Sequence, residues 1–319
     1  MKSIKQGVAL AMMLSATMIS SAHALTVYTA GPGSLAKSLA SGYEKKTGVK
    51  VNIFQATTGK VMARLEAEQA NPQADVLISA SWDTAEDLHH RGWLLPYQSG
   101  NADKVPAALK TADDVAEGIS ALGIVWNSKS GTPEPKEWRD LTEAAFKDKV
   151  TTPDPALSGA SLDLLIGLQN GLGDKAWTLF EALKKNGMVV SGPNAQAVTP
   201  VMQGAKAAVF GAVDYVSYGN IAQGESLKVI FPASGTVIAP RPMMILKTTQ
   251  HADDAKAFVD YVLSPEGQAM VADAWLMPAR SDVQAKRPLL DELKILPTTS
   301  DGSSERSAVL SRFNGLFGQ

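Results

Sequence analysis

The sequence predicts an α/β protein of two lobes, and three observations lead to that prediction. Its 319 residues correspond to about two domains of ordinary size. Three strand–loop–helix units follow one another between residues 25 and 90, and this alternation is typical of a parallel sheet with right-handed crossovers. Two later apolar stretches, near 118–126 and 227–239, have the character of strands that connect one lobe to the other. A ligand would then lie between the lobes, at the carboxyl ends of the strands.

The first 24 residues precede these units and have the pattern of a secretory signal peptide. Lys2 and Lys5 form a positive region, an uncharged stretch covers 7–22, and Ala22-His23-Ala24 is a small-x-small cleavage pattern. The alternative is a membrane anchor, which needs roughly 20 apolar residues, more than this stretch holds. We therefore expect residues 1–24 to be removed and the protein to be exported, most simply to a bacterial periplasm.

The three units of the first lobe have clear boundaries. Short apolar strands are predicted at 25–30, 49–55 and 75–79, with helices at 35–46, 60–70 and 81–90. Gly31-Pro32-Gly33 ends the first strand, and Ser34 can cap the helix that follows. Leu35, Leu39 and Tyr43 are spaced four apart and predict the buried face of that helix.

The remaining elements belong to the second lobe and to the part of the chain that follows it. Strands are predicted at 118–126, 150–152, 207–211, 227–231 and 236–239, and helices at 162–172, 198–206, 252–263 and 264–275, with a further helix that starts at 173–174. Residues 137–148 indicate a surface helix or a pair of turns, and both 287–296 and 304–319 are predicted to be helical. In the helix after Asp174, the residues Trp177, Phe180 and Leu183 should face inward.

Composition excludes several classes of function. Thirty Lys and Arg residues against 32 Asp and Glu residues give a net charge of −2, so no basic excess is present to bind nucleic acid. The absence of cysteine removes disulfides, thiolate metal sites and cysteine nucleophiles. With four histidines and no known catalytic motif, the sequence predicts neither catalytic residues, metal ligands nor a cofactor.

Four loops that lead into helices are rich in serine, threonine and glycine, and the candidate ligand-binding residues lie in them. They are Ser34 in the first loop, Thr57, Thr58 and Gly59 in the second, Ser81 in the third, where Trp82 could stack on a ligand, and Ser158, Gly159, Ala160 and Ser161 in the second lobe. Each alone is explained as an ordinary N-cap. Because helix N-termini present free N–H donors and a positive dipole, the four together favour an anion cleft.

Four further residues have two interpretations each. Asp214 follows a strand, where it could accept hydrogen bonds from sugar hydroxyls or an ammonium group, or could cap the next helix. Tyr215 and Tyr218 share a helical face, so they could bind a ferric ion or lie in the core. Arg241, between Pro240 and Pro242, could reach an anion, but we expect it to be a surface arginine.

The stretches LTVYTAGPGSLAKSLASGYEKKTGVKVNIFQATTGKVMARLEAEQANPQADVLIS, RGWLLPY, WRDLT, TTPDPALSGAS and FVDYVLSPEGQAMVADAWLMPARSDV carry a family resemblance. The chain resembles extracellular solute-binding proteins of ABC importers, in the group with ferric-ion, hexose-phosphate and 2-aminoethylphosphonate binding proteins. The resemblance implies a type II periplasmic-binding-protein fold without catalysis or cofactor. It also implies a monomer that meets the membrane only through an ABC permease and its ATPase subunits.

The resemblance implies lobes that are discontinuous in sequence. Lobe I would combine 25–120 with 237–285, and lobe II would combine 125–233 with 286–319. The hinge strands would lie near 121–127 and 227–236, where the residues themselves predict connecting strands.

The same resemblance implies a small anionic solute. In the organophosphate members, the positions that match Ser34, Thr57–Gly59 and Ser158–Ser161 would hold the phosphate, and Asp214 would face the organic part. Ferric members have adjacent tyrosines and often a histidine in the first loop, and this chain departs from both features. A phosphorylated or phosphonylated solute is therefore expected, and the alternative is ferric ion. A secreted phosphatase or transferase with Asp214 or Asp83 as its acid or base is a third hypothesis.

Overall fold

The computed structural model describes residues 24–298 and 303–318 and contains two sheets that share one long strand. The strands are β1 (Ala24–Thr29), β2 (Lys50–Gln55), β3 (Val76–Ile78), β4 (Asp114–Asn127), β5 (Val150–Thr152), β6 (Val189–Val190), β7 (Ala208–Val213), β8 (Leu227–Ile230), β9 (Ile238–Ile245) and β10 (Met277–Pro278). The helices are α1 (Gly33–Thr47), α2 (Thr58–Ala67), α3 (Asp83–His90), α4 (Gly159–Leu172), α5 (Asp174–Lys185), α6 (Asn194–Met202), α7 (Asp214–Ala222), α8 (Ala252–Val262), α9 (Pro265–Asp273) and α10 (Ser303–Phe317). The predicted signal peptide lies outside the described residues except for Ala24, the first residue of β1.

The first lobe is built on a sheet with the strand order β2-β1-β3-β9-β4. Strand β1 is parallel to β2 and β3, as the strand–helix alternation predicts, whereas β9 runs antiparallel to β3 and β4. The sheet is therefore mixed, because β9 enters it from the second lobe and not through a crossover helix. Leu35, Leu39 and Tyr43 of α1 are buried, which confirms the predicted face of that helix.

The second lobe has a smaller sheet in which β5 lies between β6 and β7 and is parallel to both. Trp177, Phe180 and Leu183 of α5 are buried, as the sequence predicts. The ring of Phe180 lies 5.2 Å from that of Trp177, 6.1 Å from Phe210 and 6.2 Å from Phe313, all in edge-to-face geometry. Aromatic pairs in this geometry stabilise a core beyond their buried area.

Strand β4 connects the lobes. All 14 of its residues are buried, and its residues 114–121 pair with β9 while residues 122–127 pair with β7 and β8. The chain passes back beside it between β8 and β9, where the Leu122 amide donates to the Val237 carbonyl over 3.1 Å. The molecule therefore has the predicted two-lobed fold with crossing strands. The exact limits of each lobe along the chain stay a prediction.

Strand β9 is longer than the sequence predicts because a β-bulge accommodates its prolines. Pro240 and Pro242 lack an amide hydrogen, which normally confines proline to sheet edges. Here the register of β4 shifts between Ala116 and Ile119, opposite both prolines. The bulge removes the need for a regular ladder at these positions, so the strand continues to Ile245.

Three local predictions are wrong. Residues 287–296 contain only a short 3₁₀ turn at Leu290–Glu292, because Ile295 forms a parallel bridge with Thr236 and the segment is held extended. The helix predicted at 198–206 is α6, which starts earlier and stops before Gly204, whose φ is +76°. Ser34 does not cap α1, because that helix begins at Gly33 with Pro32 at the N-cap position, so Ser34 lies within its first turn.

The stretch 137–148 is a pair of turns, one of the two predicted alternatives. Its two 3₁₀ turns cover Trp138–Thr142 and Ala144–Phe146. Trp138 and Phe146 are buried in the core of the second lobe, so the segment is not a surface element.

We expect the Phe180→Ala substitution to lower the free energy of unfolding by about 3–5 kcal/mol, because it removes a fully buried ring among three aromatic neighbours. Urea denaturation followed by tryptophan fluorescence measures this loss. Val189→Ala is the control, since Val189 is 46% exposed and its truncation should change stability little. Equal losses in the two variants would contradict the proposed packing.

Candidate functional site

A cleft of about 500 Å³ lies between the lobes and is lined by loops at the ends of strands. The first lobe contributes residues 30–32, 55–58, Lys60, Ala80 and Arg241, and the second contributes 157–160, 193–195, Val213, Tyr215 and Val216. Thr57, Thr58, Ser158, Gly159, Ala160 and Tyr215 are the predicted site residues among them. The carboxyl ends of β1, β2, β3 and β7 meet here, which is where open α/β sheets bind ligands.

Three helices begin at the cleft wall. Helix α2 starts at Thr58, α4 at Gly159 and α6 at Asn194. Their first N–H groups have no partner within the helix, and their dipoles place positive potential at the same ends. The hydroxyl oxygen of Thr57, just before α2, is buried without a hydrogen-bond partner. The cleft therefore offers several neutral donors to an anion.

The second-lobe wall is held by a chain of hydrogen bonds. Ser158 Oγ accepts from the Ser161 amide over 3.2 Å, which confirms Ser158 as the N-cap of α4. Asn194 Nδ2 donates to the same Oγ over 2.8 Å, and Asn194 Oδ1 accepts from the Val213 amide over 3.0 Å. These bonds fix the starts of α4, α6 and α7 relative to one another, so this half of the cleft is preorganised.

Arg241 lies beneath the cleft and lines it, so the expectation of a surface arginine is wrong. Its side chain is almost fully buried, and its Nε lies 3.6 Å from Oε2 of the equally buried Glu117. Neither Nε nor Nη2 has a hydrogen-bond partner, and neither has Glu117 Oε2. Burial raises the pKa of Glu117, and the nearby guanidinium opposes that rise. A buried arginine with free N–H groups is a strong binding point for a charged oxygen.

Gly31 leaves room above this arginine. A Cβ atom on Gly31 would lie 2.9 Å from Thr29 Oγ1 and 3.4 Å from Arg241 Nη2. Thr29 Oγ1 already accepts a hydrogen bond from the Gly31 amide over 2.8 Å. A side chain at this position would therefore press on both neighbours and cover the guanidinium.

Asp214 does not line the cleft. Its carboxylate is fully buried, forms an ion pair with Arg287, and accepts from the Ala121 amide over 3.0 Å and the Tyr215 amide over 2.8 Å. Burial raises its pKa, and Arg287 is the main opposing influence. Both oxygen atoms of the carboxylate are therefore bound to protein groups, and the position of Asp214 does not support the expectation that it faces the organic part of a ligand.

The two tyrosines of α7 have different surroundings. Tyr215 lines the cleft, and the Arg241 guanidinium lies 6.0 Å from its ring centroid. Tyr218 stacks on Trp275 with centroids 6.0 Å apart and does not line the cleft. Burial raises the pKa of Tyr215, and it raises the pKa of Tyr218 to about 12. Both phenols are therefore held in their neutral form.

The other predicted site residues lie outside the cleft lining. Ser34 and Gly59 are exposed, and Trp82 is half-buried against the core of the first lobe. Ser161 is buried and donates its hydroxyl to the Pro153 carbonyl over 3.2 Å. Ser81 is buried with its hydroxyl 3.4 Å from Asp163 Oδ1.

Next to the cleft the two lobes touch. Arg306 of α10 lies 2.9 Å from Asp163 Oδ1 of the second lobe and also pairs with Asp83, at the start of α3 in the first lobe. A Cβ on Gly159 would lie 2.8 Å from Ser81 Cβ, so the lobes are in close contact here. The lobes are therefore in direct contact beside the cleft.

The described cleft lining is cationic. Lys60 and Arg241 are its charged residues, and no Asp or Glu is among the described residues that line it.

Within residues 24–298 and 303–318, no group of three His, Cys, Asp or Glu side chains could hold a metal ion. In the same part of the chain, no helix is both long and apolar enough to cross a membrane.

The sequence matches the family described as bacterial extracellular solute-binding protein over residues 71–305, more than half of the chain. The chain belongs to this family. Among its relatives, a putative 2-aminoethylphosphonate-binding periplasmic protein of Salmonella typhimurium is 27% identical over 260 residues, 76% of this chain and 73% of that one. The Fe(3+)-binding periplasmic protein of Serratia marcescens is 23% identical over 82% of this chain and 80% of that one.

Solved structures of solute-binding proteins have the same fold. The periplasmic binding protein AfuA from Actinobacillus pleuropneumoniae, with exogenous fructose-6-phosphate bound, superposes with a TM-score of 0.83 at 24% identity, covering 92% of this solute-binding protein and 98% of AfuA. Iron-bound HitA from Pseudomonas aeruginosa gives a TM-score of 0.80 at 21% identity, over 91% and 99% of the two chains. The periplasmic-binding-protein fold expected from the sequence is thereby confirmed.

We expect Asp214→Asn to lower the free energy of unfolding of the ligand-free protein by about 3–5 kcal/mol, because it leaves the buried Arg287 without a counter-charge. Chemical denaturation measures this loss. The double variant Asp214→Asn with Arg287→Met removes both charges and should recover most of it. A single variant of unchanged stability that binds solute poorly would instead support the original ligand role of Asp214.

Proposed function

We propose that the protein is the periplasmic receptor of an ABC import system and binds a small phosphorylated or phosphonylated solute in the cleft between its lobes. The observation that carries this proposal is Arg241. It is a buried cation with two unpartnered nitrogen atoms, and it lines a cleft whose described residues include no carboxylate. Glu117, 3.6 Å away, is the counter-charge of Arg241 but leaves both nitrogen atoms without a hydrogen bond. Buried donors without acceptors are unfavourable, and the oxygen atoms of an anionic solute supply acceptors.

The donors around Arg241 suit phosphoryl or phosphonyl oxygens. Thr58 and Ser158 offer hydroxyl groups, and the starts of α2, α4 and α6 offer backbone N–H groups. Because the donors come from both lobes, an anion between them would stabilise the closed state. The solute would then be delivered to a membrane permease and its ATPase subunits by a monomeric receptor, without a cofactor.

Names of relatives support the chemical class. One relative is described as 2-aminoethylphosphonate-binding, and another as a phosphoglycerate transport regulatory protein, which is 24% identical over 71% of this chain and 58% of its own length. A phosphorus oxyanion is common to both names. The organic parts differ, so the relatives support an anion site more than any one solute.

A receptor fits the cleft better than an enzyme does. The two carboxylates considered as acid or base are Asp214 and Asp83, and each is paired with an arginine away from the cleft lining. General acid–base catalysis needs such a group within hydrogen-bond reach of the substrate. We therefore propose that the solute is bound and released unchanged.

We expect phosphoryl and phosphonyl compounds to raise the melting temperature of the mature protein. A ligand at 100 times its Kd adds about 2.7 kcal/mol of stability, which corresponds to several degrees at roughly 2–4 °C per kcal/mol. The panel would contain hexose phosphates, glycerol phosphate, phosphonates, inorganic phosphate, ferric citrate and dicarboxylates. A shift with dicarboxylates alone, or release of phosphate from an ester, would contradict the proposal.

Variants test the binding mode with the best ligand of that panel. The double variant Arg241→Gln with Glu117→Gln removes both buried charges, so the fold keeps its charge balance while the anion loses its cation. We expect isothermal titration to show at least about a 30-fold loss of affinity, about 2 kcal/mol. Glu117→Gln alone retains the arginine and is the matched control. Thr58→Ala and Ser158→Ala should each weaken binding.

Ferric ion is the second candidate, favoured by the iron-binding relatives and by Tyr215 in the cleft. A ferric ion needs several anionic oxygen ligands, and the described lining offers the single phenol of Tyr215 and no carboxylate. We expect no visible tyrosinate-to-iron absorbance when ferric citrate is added to the mature protein. An absorbance band that is lost in Tyr215→Phe would establish iron binding and overturn the phosphoryl assignment.

A further inference from the structure

The charges around the cleft bear on the organic part of the solute as well as on its anionic group. Lys60 and Arg241 both repel a positive charge, and the described lining has no carboxylate to receive one. An ammonium group that leaves water for such a site loses its hydration without gaining a counter-charge.

Two buried carboxylates behind the cleft lining each face an arginine. Glu117 lies behind Gly31, with its Oε2 3.7 Å from the position of a Cβ on that glycine, and it faces Arg241. Asp214 lies behind Tyr215 and is paired with Arg287. Neither Glu117 nor Asp214 lines the cleft, so neither is placed to bind an ammonium group.

The wall that would face the organic part of a solute is largely apolar. Val213, Val216 and Leu157 line it from the second lobe. The amide of Asn194, also on this wall, is engaged at both ends by Ser158 and the Val213 amide. An ammonium group would find few free acceptors on this side of the cleft.

We propose that the cleft selects phosphoryl and phosphonyl solutes whose organic part carries no positive charge, and therefore discriminates against zwitterions such as 2-aminoethylphosphonate. This inference rests on the proposed function and narrows its solute class. It separates this receptor from the Salmonella typhimurium relative described as 2-aminoethylphosphonate-binding.

Two matched pairs of compounds test the proposal by isothermal titration of the mature protein. Propylphosphonate and 2-aminoethylphosphonate have the same shape and differ by one ammonium group. Glucose 6-phosphate and glucosamine 6-phosphate form the second pair, in which an ammonium group replaces a hydroxyl group on a larger scaffold. In each pair that binds, the member without the ammonium group should bind at least about tenfold more tightly, since the site leaves an ammonium group unpaired.

A variant that adds a carboxylate should offset this preference. Ala195 is exposed in the first turn of α6 and lines the cleft, so Asp is tolerated there and favoured by the helix dipole. Ala195→Asp should shift the ratio of the two Kd values about tenfold toward the aminated compound. Ala195→Asn, of the same shape without charge, should leave the ratio unchanged.

The outcomes separate the two proposals. If neither these compounds nor the rest of the phosphoryl panel binds, the proposed function fails. If aminated members bind as tightly as their partners, or more tightly, the anion receptor stands and the inference about its organic part is overturned. If Ala195→Asn moves the ratio as far as Ala195→Asp does, shape and not charge sets the preference, which also overturns the inference.

Discussion

The buried ion pair between Asp214 and Arg287 holds the molecule together at the point where its lobes meet. Asp214 accepts a hydrogen bond from Ala121, next to the place where β4 exchanges β9 for β7 and β8 as partners. Through the Tyr215 amide it also fixes the start of α7, and with it the part of the cleft wall formed by Tyr215 and Val216. Arg287 donates as well to the Trp275 carbonyl, so the segment after β10 is tied to the same point. The crossing strand β4, this part of the cleft wall and the segment after β10 are therefore all joined to one fully buried charge pair.

Most of the fold could be predicted from local sequence patterns. The helices whose apolar residues recur every three or four positions, such as α1 and α5, are found close to their predicted positions. The predictions fail where distant partners override local preference. Pro240 and Pro242 lie inside β9 because β4 bulges opposite them, and 287–296 is extended because Thr236 pairs with Ile295. Neither partner is visible in the local sequence.

The candidate site shows the same limit for charged residues. The helix starts at Thr58 and Gly159 were recognisable because hydroxyl and glycine residues precede helices in a regular way. Asp214 and Arg241 were not, since the role of a charge depends on its partner, and Arg287 is 73 residues from Asp214 along the chain. Asp214, which the sequence offers as a ligand-binding carboxylate, is paired with Arg287 in the structure. Arg241, which the sequence predicts at the surface, has N–H groups without hydrogen-bond partners beneath the cleft. The signal for Arg241 was its position between two prolines of an apolar stretch, where a surface strand would not be expected.

The separation of the buried ion pairs from the exposed positions of the cleft wall has a consequence for how such receptors diversify. The buried charges come from β4, β9 and the segments tied to them, whereas the wall residues Leu157 and Ala195 are exposed and lie near the starts of α4 and α6. A substitution in the wall changes what fits beside the anion and leaves the hinge and its ion pairs untouched. Binding and folding are therefore separable in this architecture, so a new solute can be acquired through a few substitutions at positions that contribute little to stability. One scaffold can in this way serve many transport systems without a new fold.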